Sequence, residues 1–191
     1  MSEYTTSRRA FLKVASSAGA FLAIGFSPAG RLFAATLGHA PAEFTGADGE
    51  IELNNFILIT PDNKITIFNP RPEMGQGTWQ SMPALIAEEL EVRLDDVDIR
   101  MTFGEKRHGR QGVGGSGSVR QSWIPLRQAG AAAREMLTEA AAKRWKVPAA
   151  ECYAADRKIH HRPSGNSLTY GELVADAAQL ASLADETPEG R

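Results

Sequence analysis

An α+β fold, a β-hairpin joined to a mixed sheet with helices packed on it, is what this sequence predicts, and three observations carry the expectation. Two runs of β-branched and aromatic residues, Phe56-Ile57-Leu58-Ile59-Thr60 and Ile65-Thr66-Ile67-Phe68, flank Pro61-Asp62-Asn63-Lys64. That four-residue turn has proline and Asx chemistry, so the runs pair as a hairpin. Two later stretches, 78–91 and 122–145, repeat apolar residues at helical spacing, and an alternating strand pattern separates them. The order after residue 50 is β-β-α-β-α-β-β-α, which belongs to the α+β class or to a mixed α/β sheet.

Taken in order, residues 1–35 read as an export signal. Ser7-Arg8-Arg9-Ala10-Phe11-Leu12-Lys13 precedes a charge-free run of small and apolar residues, 14–26. This is a positive n-region followed by an apolar h-region, and the arginine pair before Phe-Leu-Lys points to the twin-arginine pathway. A short buried N-terminal helix is the competing reading. Ala34-Ala35 is a cleavage point without a clean Ala-x-Ala before it, so retention as an uncleaved anchor stays open. Removal of 1–35 would leave 17 basic and 22 acidic residues, a net charge of about −5. Residues 36–50, rich in Gly, Ala, Pro and Thr, read as a linker, 51–182 as the folded domain and 183–191 as a polar tail.

Within the domain, Met82, Leu85, Ile86, Glu89 and Leu90 mark the helix 78–91, with Glu88 and Glu89 on a solvated face. Val97-Asp98-Ile99-Arg100-Met101-Thr102-Phe103 alternates as a half-buried strand does. Residues 104–121 read as a long loop, basic first and Gly/Ser-rich after. The helix 122–145 tolerates Pro125 in its first turn. Its narrow inner face of Leu126, Ala129, Gly130, Ala133, Leu137, Ala140 and Ala141 suits close packing on a sheet, and Pro148 stops it. Short strands are expected at 157–161 and 167–169, around Pro163-Ser164-Gly165-Asn166. Thr169-x-x-Glu172 is a capping box for a last helix running to about residue 180.

Composition excludes several functions. The formal net charge is −2 in 191 residues, with no basic stripe of the kind that binds nucleic acid. Past residue 35 no apolar run reaches the roughly 18 residues a membrane span needs. The single cysteine, Cys152, excludes an internal disulfide and an iron–sulfur cluster or Cys-rich zinc site built from this chain alone. His160 and His161 are adjacent, so on a strand they point to opposite faces and cannot chelate one metal together. No Ser/His/Asp or Cys/His arrangement is supported by spacing.

Two glycine-rich segments carry the functional signal. Met74-Gly75-Gln76-Gly77 falls between a strand pattern and a helix pattern, where small residues let backbone approach a bulky ligand and the Gln76 amide can donate and accept hydrogen bonds. Gly114-Gly115-Ser116-Gly117-Ser118 precedes the second helix. There, backbone N–H groups, two hydroxyls and the helix N-terminus all favour an anion. Lys106, Arg107, His108, Arg110 and Arg120 are nearby cations that could add to it, and a solvated surface loop is the bland alternative. The literal match Gly112-x-Gly114-x-x-Gly117 fails as a dinucleotide fingerprint, because no strand leads directly into it and Glu135 and Glu139 lie mid-helix. No Gly-Lys-Ser/Thr of a Walker loop is present. From the residues alone, the chain is a scaffold for an anionic or polar ligand.

The segments Glu73-Met74-Gly75-Gln76-Gly77-Thr78-Trp79, Leu85-Ile86-Ala87-Glu88-Glu89-Leu90, Gly114-Gly115-Ser116-Gly117-Ser118-Val119-Arg120-Gln121-Ser122-Trp123 and 125–134 together resemble the start of the molybdopterin-binding large subunit of xanthine dehydrogenase-type molybdenum hydroxylases. The branch is that of the isoquinoline 1-oxidoreductase beta subunit and its membrane-bound aldehyde dehydrogenase relatives. The similarity covers roughly residues 52–180. It implies the N-terminal part of a molybdenum-cofactor-binding domain holding molybdopterin in its cytosine dinucleotide form. It further implies that Gln76 faces the oxo-ligand side of the molybdenum as a neutral donor, that Gly75 and Gly77 let backbone approach the pterin, and that Gly115, Ser116, Gly117 and Ser118 line the cofactor's pterin or dinucleotide end.

The implied reaction is hydroxylation of an N-heterocycle or oxidation of an aldehyde, with water as oxygen source. The implied partners are a small subunit carrying two 2Fe-2S clusters, the remainder of the large subunit, and a membrane-associated cytochrome acceptor in the periplasm or at the periplasmic face of the inner membrane. Family large subunits are several times longer, and their general-base glutamate lies near the far C-terminus. The expectation is therefore an N-terminal piece, catalytic when the rest is supplied; a non-catalytic exported binding module is the rival reading.

Overall fold

The computed structural model describes residues 23–26, 32–35 and 51–185. Strands β1 (Ala23–Phe26) and β2 (Leu32–Ala35) pair antiparallel with each other. The rest of the segment read as an export signal, and the linker 36–50, lie outside the described residues.

The expected hairpin forms, and it has a third strand beside it. β3 (Ile51–Asn54), β4 (Ile57–Ile59), β5 (Ile65–Asn69) and β6 (Val97–Met101) make one sheet in that order. β4 and β5 are antiparallel with Ile57 opposite Ile67 and Ile59 opposite Ile65. The turn between them closes through Asn63 N–H to the Thr60 carbonyl at 2.9 Å and Thr60 N–H to the Lys64 carbonyl at 3.0 Å. Asn63 takes the left-handed φ of 67° there, a conformation asparagine tolerates better than most residues. β3 was not expected from the residue pattern. Its four residues meet β4 across a β-bulge between Glu52 and Asn54, so it is too short and irregular to show a period of two.

β5 and β6 run parallel, in register from Ile65 opposite Val97 to Asn69 opposite Met101. A parallel pair needs a crossover, supplied by helix α1 (Thr78–Leu90). The second helix, α2 (Ser118–Trp145), begins four residues before the expected start at 122. Pro125 consequently lies inside the helix and not in its first turn. A small sheet follows from β7 (Cys152–Ala155), β8 (Lys158–His161) and β9 (Ser167–Thr169), all antiparallel. β7 was missed because Asp156 and Arg157, with φ of 48° and 60°, make its tight turn to β8 without glycine. Helix α3 (Tyr170–Asp185) opens with the expected capping box. Glu172 accepts from Thr169 N–H at 2.7 Å, and Glu172 N–H donates to Thr169 Oγ1 at 3.2 Å.

The seven residues expected on the inner face of α2 are all buried. Their main partner differs from the expected sheet: α2 packs most extensively on α1, while its flanks touch β3, β4, β7 and β8. Gly130 is the reason the helices come so close. A Cβ on it would lie 2.4 Å from the Ile86 carbonyl oxygen and 3.0 Å from Glu89 Cβ. Glu89, expected on a solvated face, instead receives Arg127 Nε at 2.7 Å and lies 3.9 Å from Arg134 Nη1 across this contact. Beneath the helices, Ile57, Ile59, Ile65, Ile67, Met82, Ile86, Leu126 and Leu137 are fully buried, each stabilising by about 1.5–3 kcal/mol through apolar burial. Tyr170, also fully buried, satisfies its hydroxyl on the Leu90 carbonyl at 2.7 Å.

Among the described residues, His108 is the one whose buried side-chain nitrogens are left unsatisfied. It sits between the rings of Phe56 and Phe68, at 5.7 and 5.1 Å, and neither ring nitrogen makes a well-formed hydrogen bond, although the Asn55 backbone is near. Burial pushes its pKa below the ordinary histidine value and the charge of Arg107 adds to that; Glu105 and the Asn55 backbone pull the other way without overcoming it.

The helix contact and the buried imidazole can each be tested by substitution. An alanine at an open helical glycine site gains up to about 1 kcal/mol of propensity, but Gly130→Ala must move backbone. It should lower stability by about 1–3 kcal/mol, read as a lower urea midpoint at unchanged slope. For His108, the unfolded chain binds the proton more tightly than the folded one. Its stabilising contribution is therefore complete above the unfolded pKa of about 6.5 and declines as pH falls from there through the lowered folded value. His108→Phe should shrink the loss of urea midpoint between pH 7.5 and 6; an equal loss in both proteins would refute the assignment.

Candidate functional site

Because β5 and β6 are parallel and end side by side, the connections leaving them start from adjacent positions. Thr102 N–H donates to the Asn69 carbonyl at 3.2 Å, closing the register at the point where both loops depart. The first loop, 70–77, leads into α1; the second, 102–117, leads into α2. Both lie off the carboxyl ends of a parallel pair, the usual place for a site on such a sheet. The structure thus roots at adjacent strand ends the two loops that carry the glycine segments, which are about 40 residues apart in sequence.

Glu73 organises the first loop. Gly77, the residue before α1, is left-handed at φ 86° and caps the helix with no side chain of its own. The Glu73 carboxylate substitutes for that cap. It accepts Gly75 N–H at 2.6 Å, Gly77 N–H at 3.1 Å and Trp79 N–H at 2.6 Å, with Thr78 Oγ1 at 3.1 Å. These donors, Trp79 first and Gly77 next, pull its pKa down to about 2, as expected for a carboxylate receiving several backbone N–H groups. Gly75 has φ 91°, so both glycines are required by backbone conformation. A Cβ on Gly75, Gly77, Gly114 or Gly115 would meet no atom within 4 Å, so the space there is open, whereas Gly117 is buried and a Cβ on it would lie 2.8 Å from Gln121 Nε2.

Gln76 is exposed, and its amide faces back into its own turn rather than outward. Its Oε1 accepts Met74 N–H at 2.5 Å, while Nε2 donates to the Pro72 carbonyl at 2.7 Å and to Thr78 Oγ1 at 3.2 Å. Met74 and Trp79 beside it are exposed apolar side chains, as are Val119 and Trp123 at the start of α2.

In the second loop, Gly115 and Ser116 are both left-handed, at φ 58° and 51°. Gly117 N–H returns to the Gly114 carbonyl at 3.2 Å, and Gly117 caps α2 without a side-chain hydrogen bond. Ser118 is the first residue of the helix and not part of the loop. Of the expected cations, Lys106, Arg110 and Arg120 are exposed. Arg107 and His108 turn instead to the domain's own packing. Arg107 Nη1 meets Glu52 at 2.6 Å and its guanidinium lies 5.5 Å from the centre of the Phe68 ring, while His108 is buried against Phe56 and Phe68.

Two residues that the sequence did not flag join the loops. Asn69 accepts Arg71 N–H at 2.9 Å on Oδ1 and donates from Nδ2 to the Thr78 carbonyl at 3.0 Å. Arg71, 4% exposed, donates from Nε to Ser122 Oγ at 3.1 Å and from Nη1 to the Gly112 carbonyl at 2.6 Å. Burial, with the nearby charge of Arg110, lowers its pKa. Nothing in the sequence distinguishes Arg71 from a surface arginine.

The remaining candidates serve the small sheet. His161 bridges Ser164 Oγ at 2.7 Å and Glu151 at 2.9 Å, and His160 stacks on Tyr153 at 5.1 Å, so the two imidazoles do point apart. The thiol of Cys152 is buried; that burial, and next the charge of Glu151, raise its pKa. Among the described residues no group of three or more His, Cys, Asp or Glu could hold a metal ion.

Comparison with known proteins identifies the family. The molybdopterin cofactor-binding domain family matches residues 10–188, and the chain belongs to it. It is 32% identical over 176 residues to the beta subunit of isoquinoline 1-oxidoreductase of Brevundimonas diminuta, covering 88% of this chain and 22% of that protein. It is 32% identical over 173 residues to the membrane-bound aldehyde dehydrogenase (pyrroloquinoline-quinone) of Gluconacetobacter polyoxogenes, covering 88% and 21%. A nicotinate dehydrogenase subunit from Pseudomonas putida is 30% identical over 139 residues, covering 73% and 12%. The chain therefore spans about a fifth or less of the length of these relatives.

Among solved structures, CO dehydrogenase from Oligotropha carboxidovorans superposes with a TM-score of 0.52 at 20% identity, over 61% of this chain and 15% of that one. Quinoline 2-oxidoreductase from Pseudomonas putida 86 gives 0.50 at 20% identity, over 71% and 17%. These two show that the α+β fold is that of molybdenum-cofactor-binding domains.

For the first loop we predict a distinct acid response. Glu73 has its pKa lowered, so its hold on the turn is complete above the ordinary carboxylate value of 4.5 and lost as pH falls towards about 2. The amides of Gly75, Gly77 and Trp79 should stay protected from exchange at pH 4 and lose that protection near pH 2. Glu73→Ala should abolish it at every pH, measured by amide hydrogen exchange.

Proposed function

We propose that this member of the molybdopterin cofactor-binding domain family supplies the Gln76 turn to the active site of a molybdenum hydroxylase of the isoquinoline 1-oxidoreductase and aldehyde dehydrogenase type. The observation that carries the reading is that both glycine loops leave the adjacent carboxyl ends of β5 and β6 and are joined by the Arg71 bond to Gly112. The residues present fit a pterin-sized group. Four glycines leave the approach clear of side chains, donors of the second loop suit phosphate oxygens, and exposed Met74 and Trp79 offer apolar surface beside them.

On this proposal Gly75 and Gly77 admit the cofactor by backbone, and Gly115, Ser116, Gly117 and Ser118 line its pterin or cytosine dinucleotide end. When bound, molybdopterin with molybdenum supplies two-electron oxidation of an electrophilic carbon, with water as oxygen source. Gln76 contributes a neutral N–H donor, which orients an oxygen without becoming a metal ligand. To do so its amide exchanges the contacts it makes with Pro72, Met74 and Thr78 for contacts to the ligand. The substrate class proposed is an N-heterocycle or an aldehyde. Electrons leave through a small subunit with 2Fe-2S clusters to a membrane-associated cytochrome. Residues 1–35 direct twin-arginine export to the periplasm or the periplasmic face of the inner membrane. The general base and the other cofactor loops belong to the further length of the relatives, so turnover requires a polypeptide that carries them.

The test is to produce the chain together with such a polypeptide in a host that makes the cofactor, then assay molybdenum, released pterin and cytidine monophosphate. Near-stoichiometric molybdenum and pterin, with dye reduction by isoquinoline or an aldehyde, are the expected results. Gln76→Ala should retain most of the pterin and lower kcat by about 10²-fold, the scale of losing one positioned donor. Cofactor without turnover in the parent complex would favour the non-catalytic binding module, and absence of both molybdenum and pterin would sink the proposal.

A further inference from the structure

We propose that Arg71 is a positioning residue whose guanidinium fixes the second glycine loop relative to the first and so sets the gap between them. The inference rests on the reading of these loops as cofactor loops. Arg71 lies two residues past the end of β5 and two before Glu73, so its backbone belongs to the first loop. That backbone is pinned, because Arg71 N–H is held by Asn69 Oδ1 at 2.9 Å. Its side chain crosses to the second loop at the Gly112 carbonyl, 2.6 Å, and to α2 at Ser122 Oγ, 3.1 Å. One planar fork thus joins the first loop, the second loop and α2, and lysine, a single point donor, cannot reproduce that geometry.

The energetics argue against simple stabilisation as the reason for the residue. Arg71 is 4% exposed, both acceptors are neutral, and among the described residues no carboxylate lies within 4 Å of it. A buried cation in neutral company is costly, and apolar side chains of similar size often stabilise such sites equally or better. The nearby charge of Arg110 makes the seat still less favourable. What the guanidinium provides that an apolar chain does not is two directed hydrogen bonds at a fixed angle, one to the loop that carries Gly115 to Gly117 and one to α2 just after it. Ser122 is itself buried, so the anchor on α2 does not give.

Two variants and two readouts test this. In the full chain without cofactor, Arg71→Met should raise amide exchange across 109–121 by tenfold or more, the scale of losing hydrogen bonds to a charged group. Exchange in β4 and β5 and the urea midpoint should stay near those of the parent. Arg71→Lys should restore part of the loop's protection. Unchanged exchange in 109–121, or a rise in every segment together with a lower urea midpoint, would overturn the proposal. Should Arg71→Met not fold, Arg71→Lys decides alone: protection equal to the parent's would show that the fork is not needed.

The second readout is pterin retained by the cofactor-loaded complex, measured by fluorescence after release. A tenfold or greater loss in Arg71→Met, with the chain still folded, is the expected result; equal retention would overturn the role. Failure of the parent itself to retain pterin would instead refute the cofactor reading, leaving the exchange experiment to decide whether Arg71 spaces the loops.

Discussion

The parallel pairing of β5 with β6 is the constraint on which the candidate site depends. Without it, the turn at 74–77 and the loop at 112–117 are unrelated surface segments. With it, Asn69 and Met101 end opposite each other, and the two loops begin within hydrogen-bond reach. The crossover that joins the pair is α1, which packs against β5. α1 in turn meets α2 at Gly130, where there is no room even for a methyl group. A glycine in mid-helix, ordinarily a loss of about 1 kcal/mol, is here what permits the close approach of the two helices. Core, helix pair and site are therefore one chain of dependencies, since the same α1 that buries Met82 and Ile86 also presents the turn at its N-terminus.

Much of the fold was legible in the residues because it rests on local signals. The hairpin carries two β-branched runs around a Pro-Asx turn, and the capping box at Thr169 and Glu172 is a four-residue rule. The small-residue stripe on α2 also marks its buried face correctly. What escaped has a physical reason in each case. β3 is four residues long with a bulge, so it has no room to express alternation. β7 ends in a turn that two non-glycine residues make in the left-handed region, against their usual preference. The start of α2 was placed late because Gly117 offers no capping side chain to announce it. That α2 packs on a helix more than on a sheet cannot be read from its own face, since both partners demand the same small residues.

The site was half legible for a related reason. Glycines such as Gly75 and Gly77 are visible in sequence because the backbone demands them, at φ 91° and 86°. The residues that hold those runs in place are ordinary polar ones whose importance comes from burial, which sequence does not display. Asn69 and Arg71 are both buried. Conversely, Arg107 and His108 looked like cations of an anion-binding loop, and the structure packs them against Phe68 and Phe56. Charge in a loop is weak evidence of a ligand until it is known which way the loop folds back.

The polar residues around the first turn divide by exposure, and the division matches the two jobs a ligand turn must do. Asn69 and Arg71 are buried, so losing a partner there costs the full desolvation of the group left behind, about 1–3 kcal/mol and more for a charge. Those contacts are rigid. Gln76 is exposed, and each of its contacts with Pro72, Met74 and Thr78 competes with water, with a net worth of about 0.5–1.5 kcal/mol each. Its amide can leave the turn and face a ligand without opening the turn, because Glu73 and not Gln76 accepts the N–H groups of Gly75, Gly77 and Trp79. A glutamine that itself held the turn together could not also serve a ligand. Assigning the scaffold to a carboxylate with a pKa of about 2 keeps the turn closed at any physiological pH, and it leaves the neutral amide beside it free to change partners.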